Sequence, residues 1–242
     1  MNDERDPGAP ATLAPSGELL PGQARGDRLN SFAGPGIVVS WSRARCIHAA
    51  ACVFGLPRVF APGHRPWVDP SQGSADDIAR VVKHCPTGAL HYTRDDGGAL
   101  EVAPEVNTVA VTRNGPLHLA GAIEVFDEGG QLVLTDTRAA LCRCGRSSNP
   151  PLCDGTHMVL GFRDDGGLGR EPAADVPVAT HGELRVRPER AGPLHLEGPF
   201  RLRSADHRIL VSCDSAKLCR CGGSKNKPFC DGTHLERAAL QR

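Results

Sequence analysis

Short runs of alternating or helically spaced apolar residues, separated by glycine and proline, predict a protein built from small elements. In the first hundred residues they predict a strand at 37–41, a brief helix at 49–54, a helix at 75–84 and a return strand at 89–93. Ile78, Val81 and Val82 give the longer helix one apolar face. Ser74 and Asp77 resemble a capping box at its start. This region is therefore predicted to be a small α+β domain.

Beyond about residue 105 the chain repeats itself at a spacing of 77 residues without a gap. Gly115-Pro-Leu-His-Leu returns at 192, and Leu141-Cys-Arg-Cys-Gly returns at 218. Two alternating runs flank a turn in each copy, at 123–126 and 131–135 in the first and at 200–203 and 208–212 in the second. Each copy is therefore predicted to be a small β-rich unit that presents a cysteine-containing loop.

These patterns divide the chain into five segments. The N-terminal segment is polar and rich in Pro, Gly and Ala, which predicts a disordered arm. The α+β domain follows it, and a stretch containing Gly and Pro links the two repeat units. The predicted bounds are 1–35 for the arm, 36–104 for the α+β domain, 105–165 for the first repeat, 166–181 for the linker and 182–242 for the second repeat.

Composition narrows the classes of function. Lys plus Arg equals Asp plus Glu at 28 each, so the net charge gives no reason to expect nucleic acid or a membrane as a partner. Aromatic residues make up 4% of the chain, which predicts small cores that need further stabilisation, for example by a bound metal. We find no apolar signal region and no run near the roughly 20 apolar residues of a membrane span. We therefore expect a cytoplasmic protein whose ten cysteines mostly bind metal.

The repeat carries the strongest chemical signal, which is three cysteines and a histidine at fixed spacing. The candidate ligands are Cys142, Cys144, Cys153 and His157 in the first copy, and Cys219, Cys221, Cys230 and His234 in the second. Three sulfurs and an imidazole suit either zinc or an iron–sulfur centre. The third cysteine and the histidine stand at i and i+4, on one side of a helical turn. Asp154 is well placed to cap that turn.

This motif resembles the CDGSH iron–sulfur family, which includes the mitoNEET-like proteins. Each copy reads Cys-x-Cys-x-x-Ser and then Pro-x-Cys-Asp-Gly-Thr-His, and only the Thr before the His departs from the family signature. The resemblance implies a redox-active [2Fe-2S] cluster on the three cysteines and the histidine of each copy. It also implies a β-rich fold in which two motifs come together as a dimer. The tandem copies would then form an intramolecular pseudo-dimer, and we expect a monomer with an internal pseudo-two-fold repeat.

A structural zinc site is the alternative, because three cysteines and a histidine are also a common tetrahedral zinc set. Zinc knuckles usually space their cysteines C-x2-4-C, and the C-x-C of each repeat is tighter. Arg143 and Arg220, between the paired cysteines, either offset the charge of a cluster or lie in solvent. His118 and His195 recur at the repeat spacing and are interpreted as duplicated packing. Cys213 is interpreted as an ordinary thiol at a strand end.

A third group of cysteines lies in the α+β domain. Cys46, Cys52 and Cys85 resemble the ligands of a bacterial ferredoxin, with the Cys-Pro that follows a helix in such proteins. Ala49 stands where the remaining ligand would be. The segment resembles divergent single-cluster 4Fe-4S ferredoxins and three-cysteine ferredoxins with a [3Fe-4S] cluster, so we expect a ferredoxin-like domain. Three thiolates favour [3Fe-4S]. His48 either is no ligand, which we favour, or completes a [4Fe-4S] site, and three buried structural cysteines remain the alternative to any cluster.

Several iron–sulfur sites in one chain predict electron transfer. The expected cofactors are two [2Fe-2S] clusters and one [3Fe-4S] cluster, or alternatively [4Fe-4S]. Cluster storage or transfer, and redox or iron sensing through a protein partner, use the same ligands and remain alternatives. No Walker loop, nucleotide-binding glycine motif or nucleophile elbow is recognisable, so we expect no enzymatic activity and no catalytic residue. The expected partner is an unidentified redox protein or cluster acceptor.

Overall fold

The computed structural model describes residues 23–169, 182–208 and 210–239. It divides into two compact units, the first ending at Val102 and the second beginning at Ala103. The first unit contains β1 (Leu29–Gly34), β2 (Ile37–Ser42), α1 (Ala51–Gly55), a 3-10 turn (Pro70–Gln72), α2 (Ala75–Val82) and β3 (Leu90–Arg94). The second contains β4 (Thr108–Val111), β5 (Leu117–Phe126), β6 (Leu132–Leu141), α3 (Thr156–Val159), β7 (Leu184–Pro188), β8 (Leu194–Arg203), β9 (Leu210–Leu218) and α4 (Thr233–Ala239).

The first unit is a three-stranded antiparallel sheet, ordered β1-β2-β3, with the two short helices packed against it. Ile37 and Val39 of β2 and Ile78 of α2 are fully buried in its core, as the apolar pattern predicts. The predicted cap of α2 is confirmed, because Ser74 Oγ accepts the N–H of Asp77 at 3.1 Å. The predicted strands at 37–41 and 89–93 are confirmed as β2 and β3, and α2 ends at Val82 instead of at residue 84.

Strand β1 corrects the predicted disordered arm. The prediction of disorder for 1–35 is wrong from Leu29 on, because Leu29–Gly34 pair with β2 in a tight hairpin. Leu29 and Phe32 are buried, and this burial offsets the entropy lost on ordering the segment. The prediction rests on the polar composition of the whole arm, which gives these two apolar residues little weight. Residues 1–22 of the predicted arm and 170–181 of the predicted linker lie outside the described residues.

The second unit is β-rich, as predicted, and each repeat contributes one long hairpin. The hairpins β5–β6 and β8–β9 are confirmed, but the strands have nine or ten residues each and exceed the predicted runs. They extend because Leu117 and Leu119 of β5, and Leu141 of β6, continue the buried face. Because of this extension, β6 and β9 end directly before the first cysteine of each motif and fix its position.

The two repeats share one six-stranded sheet. Two short strands that the sequence pattern did not predict, β4 and β7, each pair antiparallel with the hairpin of their own copy and parallel with that of the other. Val109 lies opposite Leu202, and Val186 lies opposite Val125. Val186 is 77 residues after Val109, and Leu202 is 77 residues after Val125, so the two parallel pairings obey the repeat offset.

Asn107 adds a connection between the copies. Its side-chain amide donates to the carbonyl oxygens of Gly182 and Pro199, both at 2.8 Å, and its Oδ1 accepts the N–H of Ala122 at 2.9 Å. The residue is 3% exposed, so these bonds are sheltered from water. None of the helices in the described ranges is long and apolar enough to span a membrane.

Candidate metal centres

Strand ends bring the ligands of each repeat together. Cys142 follows β6 directly, and its N–H donates to Pro151 O at 2.9 Å. The N–H of Cys153 donates to Ala140 O at 2.8 Å, so the segment carrying the third cysteine runs beside the end of β6. His157 follows on α3 and is buried. The second repeat is built in the same way, with N–H donation from Cys219 to Pro228 O at 2.7 Å and from Cys230 to Lys217 O at 2.9 Å.

The predicted ligands form two pairs in each repeat. Cys142 Sγ and Cys144 Sγ are 3.6 Å apart, and Cys153 Sγ and His157 Nδ1 are 3.3 Å apart. The corresponding distances are 3.8 Å for Cys219 and Cys221 and 3.3 Å for Cys230 and His234. Two sulfurs on one tetrahedral metal with metal–sulfur bonds of about 2.3 Å lie about 3.8 Å apart. Each pair is therefore spaced as two ligands of one metal atom.

Paired ligands are the arrangement that a binuclear cluster needs, with two protein ligands on each iron. Within the described ranges, no three His, Cys, Asp or Glu side chains are grouped as ligands of a single ion would be. The donor set and its pairing fit a [2Fe-2S] cluster at each repeat.

Aspartate and serine side chains hold the ligand loops in place. The N-cap of α3 is Gly155, one residue after the predicted cap, but Asp154 Oδ1 accepts the N–H of Thr156 at 3.0 Å. The other oxygen of Asp154 accepts the N–H of Ser148 at 2.7 Å and thereby ties the two ligand segments together. Asp231 makes the same two bonds in the second repeat. Ser147 Oγ donates to Leu152 O at 2.6 Å, a role that the sequence analysis missed although Ser stands at this position in both motifs.

Burial determines the protonation of the cluster-free sites. It raises the pKa of the Cys144 thiol to about 11 and that of Cys153 to about 12, and it raises the pKa of Cys219 as well. Burial lowers the pKa of His157, which the charge of Asp154 opposes. The thiols of Cys144, Cys153 and Cys219 are therefore protonated near pH 7 before loading, and their coordination as thiolates must release protons.

The two repeats differ at the arginine between the paired cysteines. Arg143 is 1% exposed, donates to Gly115 O and to Asp164 Oδ1 at 2.8 Å each, and donates also to Thr112 O. The alternative that it lies in solvent is therefore wrong. Arg220 donates to Gly192 O at 3.1 Å and pairs with the half-exposed Glu128. The sequence pattern does not identify Asp164, because this residue lies outside the cysteine motif. The repeat does not mark it either, since the residue 77 positions later is Gln241, which has no charge.

His118 lies near the first site. Its Nε2 atom is buried without a hydrogen-bond partner in the described part of the chain. Burial, followed by the nearby His157 and Arg143, lowers its pKa to about 4. His195, its counterpart in the second repeat, is about one-third exposed and lies 3.4 Å from Glu197. The two copies of this histidine therefore have different surroundings, despite the shared strand position.

The ligand loops of the two repeats touch each other. Gly145 and Gly222 each follow a ligand cysteine, with φ angles of +74° and +73° that favour glycine. A Cβ atom on Gly145 would lie 3.1 Å from the Cα of Cys221. A Cβ atom on Gly222 would lie 3.1 Å from the carbonyl oxygen of Arg143. The glycine next to a ligand cysteine in each repeat therefore packs closely against the ligand loop of the other repeat.

The three cysteines of the first unit line one cavity. Cys46, Cys52 and Cys85 surround a space of about 550 Å³. Burial raises the pKa of Cys46, and it raises that of Cys52 to about 11 with a further contribution from Cys85. Thr87 supports the site, with its hydroxyl 3.6 Å from the Cys85 sulfur. The structure therefore brings together the three predicted ligands of this site, and their thiols fit a polynuclear cluster.

The loop between Cys46 and Cys52 has an unusual backbone. His48 and Ala50 have φ angles of 55° and 61°, a left-handed conformation that is strained for residues with a side chain. These residues displace the start of the predicted helix from residue 49 to Ala51. Such strain is characteristic of ligand loops. His48 lines the cavity, and so does His64, which the sequence pattern does not single out.

Comparison with known proteins agrees with both kinds of site. The family model described as iron-binding zinc finger, CDGSH type, matches residues 114–158 and again 191–235. A model described as divergent 4Fe-4S mono-cluster matches residues 32–95. Uncharacterized protein YjdI, from Escherichia coli strains K12 and O157:H7, is 33% identical over 61 residues, which is 25% of this chain and 80% of the relative. No solved structure matches the chain.

The matched segments contain all the predicted ligands of the three sites. The chain therefore contains two tandem CDGSH-type iron-binding domains after a divergent 4Fe-4S mono-cluster domain.

Proposed function

We propose that the chain is an electron-transfer protein that carries three iron–sulfur clusters. Two are [2Fe-2S] clusters on the paired ligands of the repeats, and the third is held by the cysteines of the first unit. The observation that supports this function best is the backbone contact between the ligand loops at Gly145 and Gly222. Electron tunnelling slows steeply with distance, so two centres whose ligand loops pack against each other are suited to exchange electrons.

A bound [2Fe-2S] cluster would supply reversible one-electron chemistry. The protein residues set the conditions for it. A neutral imidazole in place of a thiolate leaves the centre less negative, which favours a higher reduction potential than four cysteines would give. In both sites Nδ1 faces the cysteine sulfur, so the other ring nitrogen remains available for a proton.

We further propose that the repeats form an intramolecular pseudo-dimer. The two parallel strand pairings that obey the 77-residue offset support this proposal, since they give each repeat the same relation to the other. The chain should then be a monomer. Sedimentation equilibrium of the loaded protein tests this, and a stable dimer that depends on residues 103–242 would contradict it.

For the first unit we propose a ferredoxin-like α+β domain with one cluster on Cys46, Cys52 and Cys85. Three thiolates favour [3Fe-4S]. A [4Fe-4S] cluster needs a further ligand, and His48 and His64 both line the cavity. Electron paramagnetic resonance (EPR) separates the two, because [3Fe-4S] gives a signal when oxidised and [4Fe-4S] gives one when reduced.

Cluster transfer to another protein is a second candidate function. Met158, Val159 and Leu160 directly follow the ligand His157 and are 58%, 90% and 54% exposed. An exposed apolar run beside a ligand suits contact with an acceptor protein. Redox or iron sensing through a partner would use the same surface. The partner under either function is an unidentified redox protein or cluster acceptor.

The deciding experiment is anaerobic purification followed by iron, zinc and sulfide analysis and EPR-monitored redox titration. Electron transfer predicts three centres that reduce and reoxidise with no loss of iron. Cluster transfer predicts that an apo-ferredoxin mixed with the protein gains the cluster that the protein loses. A colourless protein with zinc in place of iron and sulfide would refute both.

We also propose that the chain has no enzymatic activity of its own and acts in the cytoplasm. Nine of its ten cysteines are assigned as ligands, and thiolate ligands require a compartment that keeps cysteines reduced.

A further inference from the structure

The chain has only two tryptophans, and both line the cavity of the first unit. Trp41 is the penultimate residue of β2, five residues before Cys46. Its ring meets that of Trp67 edge to face, with centroids 4.9 Å apart and an interplanar angle of 73°. Trp67 in turn contacts Phe32 and Phe60, with ring centroids 6.3 and 6.2 Å away. This aromatic packing holds Trp41 in one orientation beside the ligand loop.

The indole of Trp41 carries a buried donor. An indole nitrogen can only donate, and a buried donor without an acceptor costs about 1–3 kcal/mol. Among the described residues, Nε1 of Trp41 is buried and has no hydrogen-bond partner. Trp41 lines the same cavity as Cys46, Cys52 and Cys85, so a cysteine sulfur is an acceptor that this donor can meet there.

The backbone after β2 holds Cys46 close to Trp41. The chain turns directly after the strand, and the N–H of Cys46 donates to Arg43 O at 3.3 Å. Trp67 lies in the loop between α1 and the 3-10 turn, away from this turn in the chain, although its own Nε1 is also buried without a partner among the described residues.

We propose that Trp41 donates its indole N–H to the Cys46 sulfur of the loaded site and thereby raises the reduction potential of the N-terminal cluster. The proposal rests on the proposed function, because it requires a cluster on the three cysteines of this unit. Adding an electron makes the cluster and its thiolates more negative. A hydrogen bond to the sulfur therefore stabilises the reduced state more than the oxidised state.

The test is an EPR-monitored redox titration of the loaded full-length chain and of the variants Trp41→Phe and Trp67→Phe. The signal of the N-terminal cluster is identified by its loss in Cys85→Ala. Trp41→Phe keeps an aromatic ring but removes the donor, and we expect the reduced-to-oxidised ratio at fixed potential to fall about tenfold, equal to about 59 mV for one electron. Trp67→Phe is the matched control, and we expect a change of less than about threefold.

A second measurement needs no change at the donor itself. In Trp67→Phe protein labelled with ¹⁵N-tryptophan, Trp41 is the only labelled indole, and electron spin-echo spectroscopy should detect its coupling to the N-terminal cluster. Absence of that coupling, or equal potential shifts in the two variants, would overturn the role of Trp41. Absence of any N-terminal cluster signal in the unmodified protein would instead refute the proposed cluster.

Discussion

The buried arginine of the first repeat allows a matched comparison within one molecule. Replacing Arg143 by Met keeps much of the apolar stem but removes the guanidinium, which is 1% exposed. The change leaves the carbonyls of Gly115 and Thr112 without their donor and removes the ion pair with Asp164. Breaking a buried ion pair by removing one partner costs about 3–5 kcal/mol. Lys227 lies 3.9 Å from Asp164, so we expect the lower part of this range.

The same change at Arg220 should cost much less. This side chain is 12% exposed, and its acidic partner Glu128 is 45% exposed. Exposed ion pairs contribute about 0–1 kcal/mol, and the carbonyl groups of Gly192 and Glu189 add about 1 kcal/mol more. The expected difference between Arg143→Met and Arg220→Met in the free energy of unfolding is therefore about 2 kcal/mol.

Guanidinium unfolding of the loaded chain, followed by far-ultraviolet circular dichroism at equal iron content, measures this difference. With similar slopes, the Arg143→Met protein should have the clearly lower midpoint. Equal midpoints for the two variants, or a lower midpoint for Arg220→Met, would refute the reasoning that burial of the ion pair controls the cost.

Three further predictions concern the sites. His157→Cys and His234→Cys should lower the reduction potentials of their clusters and slow cluster loss in acid. Redox titration measures the potentials, and the decay of visible absorbance measures cluster loss. Unchanged potentials in both variants would contradict the role of imidazole. Burial lowers the pKa of His118 from about 6.5 in the unfolded chain to about 4 in the folded protein. The neutral side chain therefore contributes up to about 3 kcal/mol to the free energy of unfolding above pH 6.5, and this contribution is lost as the pH falls toward 4. His118→Leu should therefore flatten the pH dependence of the unfolding midpoint between pH 4 and 6.5, whereas the control His195→Leu should leave it steep. Gly145→Ala should lower the free energy of unfolding by about 1–3 kcal/mol and slow electron exchange between the repeat clusters, and wild-type stability would contradict the tight contact.

The sequence predicts local chemistry better than it predicts strand partners. The ligand pairs follow from spacing, since Cys142 and Cys144 are two residues apart and Cys153 and His157 are one helical turn apart. The partner of β4 is unpredictable in this way, because half of its pairing is with β8 and depends on contacts far along the chain. Short strands such as β4 gain their stability from those contacts and carry little pattern of their own.

The same distinction explains the errors in the first unit. The N-terminal arm was expected to be disordered because composition averages over many residues, but two buried side chains, Leu29 and Phe32, are enough to add a strand to an existing sheet. The left-handed backbone of His48 and Ala50 has no sequence signal, since neither residue is glycine or asparagine. This backbone conformation is explained by the short loop that joins Cys46 to Cys52.

The exchange of parallel strands between the repeats affects how the centres behave on dilution. Neither copy completes its sheet alone, because each hairpin takes one strand, β4 or β7, from the other copy. If the copies were separate chains, an open sheet edge would make their association, and the spacing of their clusters, depend on concentration. Covalent connection replaces that dependence with a fixed effective concentration. The approach of the two ligand loops is thereby the same in a single molecule as in a concentrated solution.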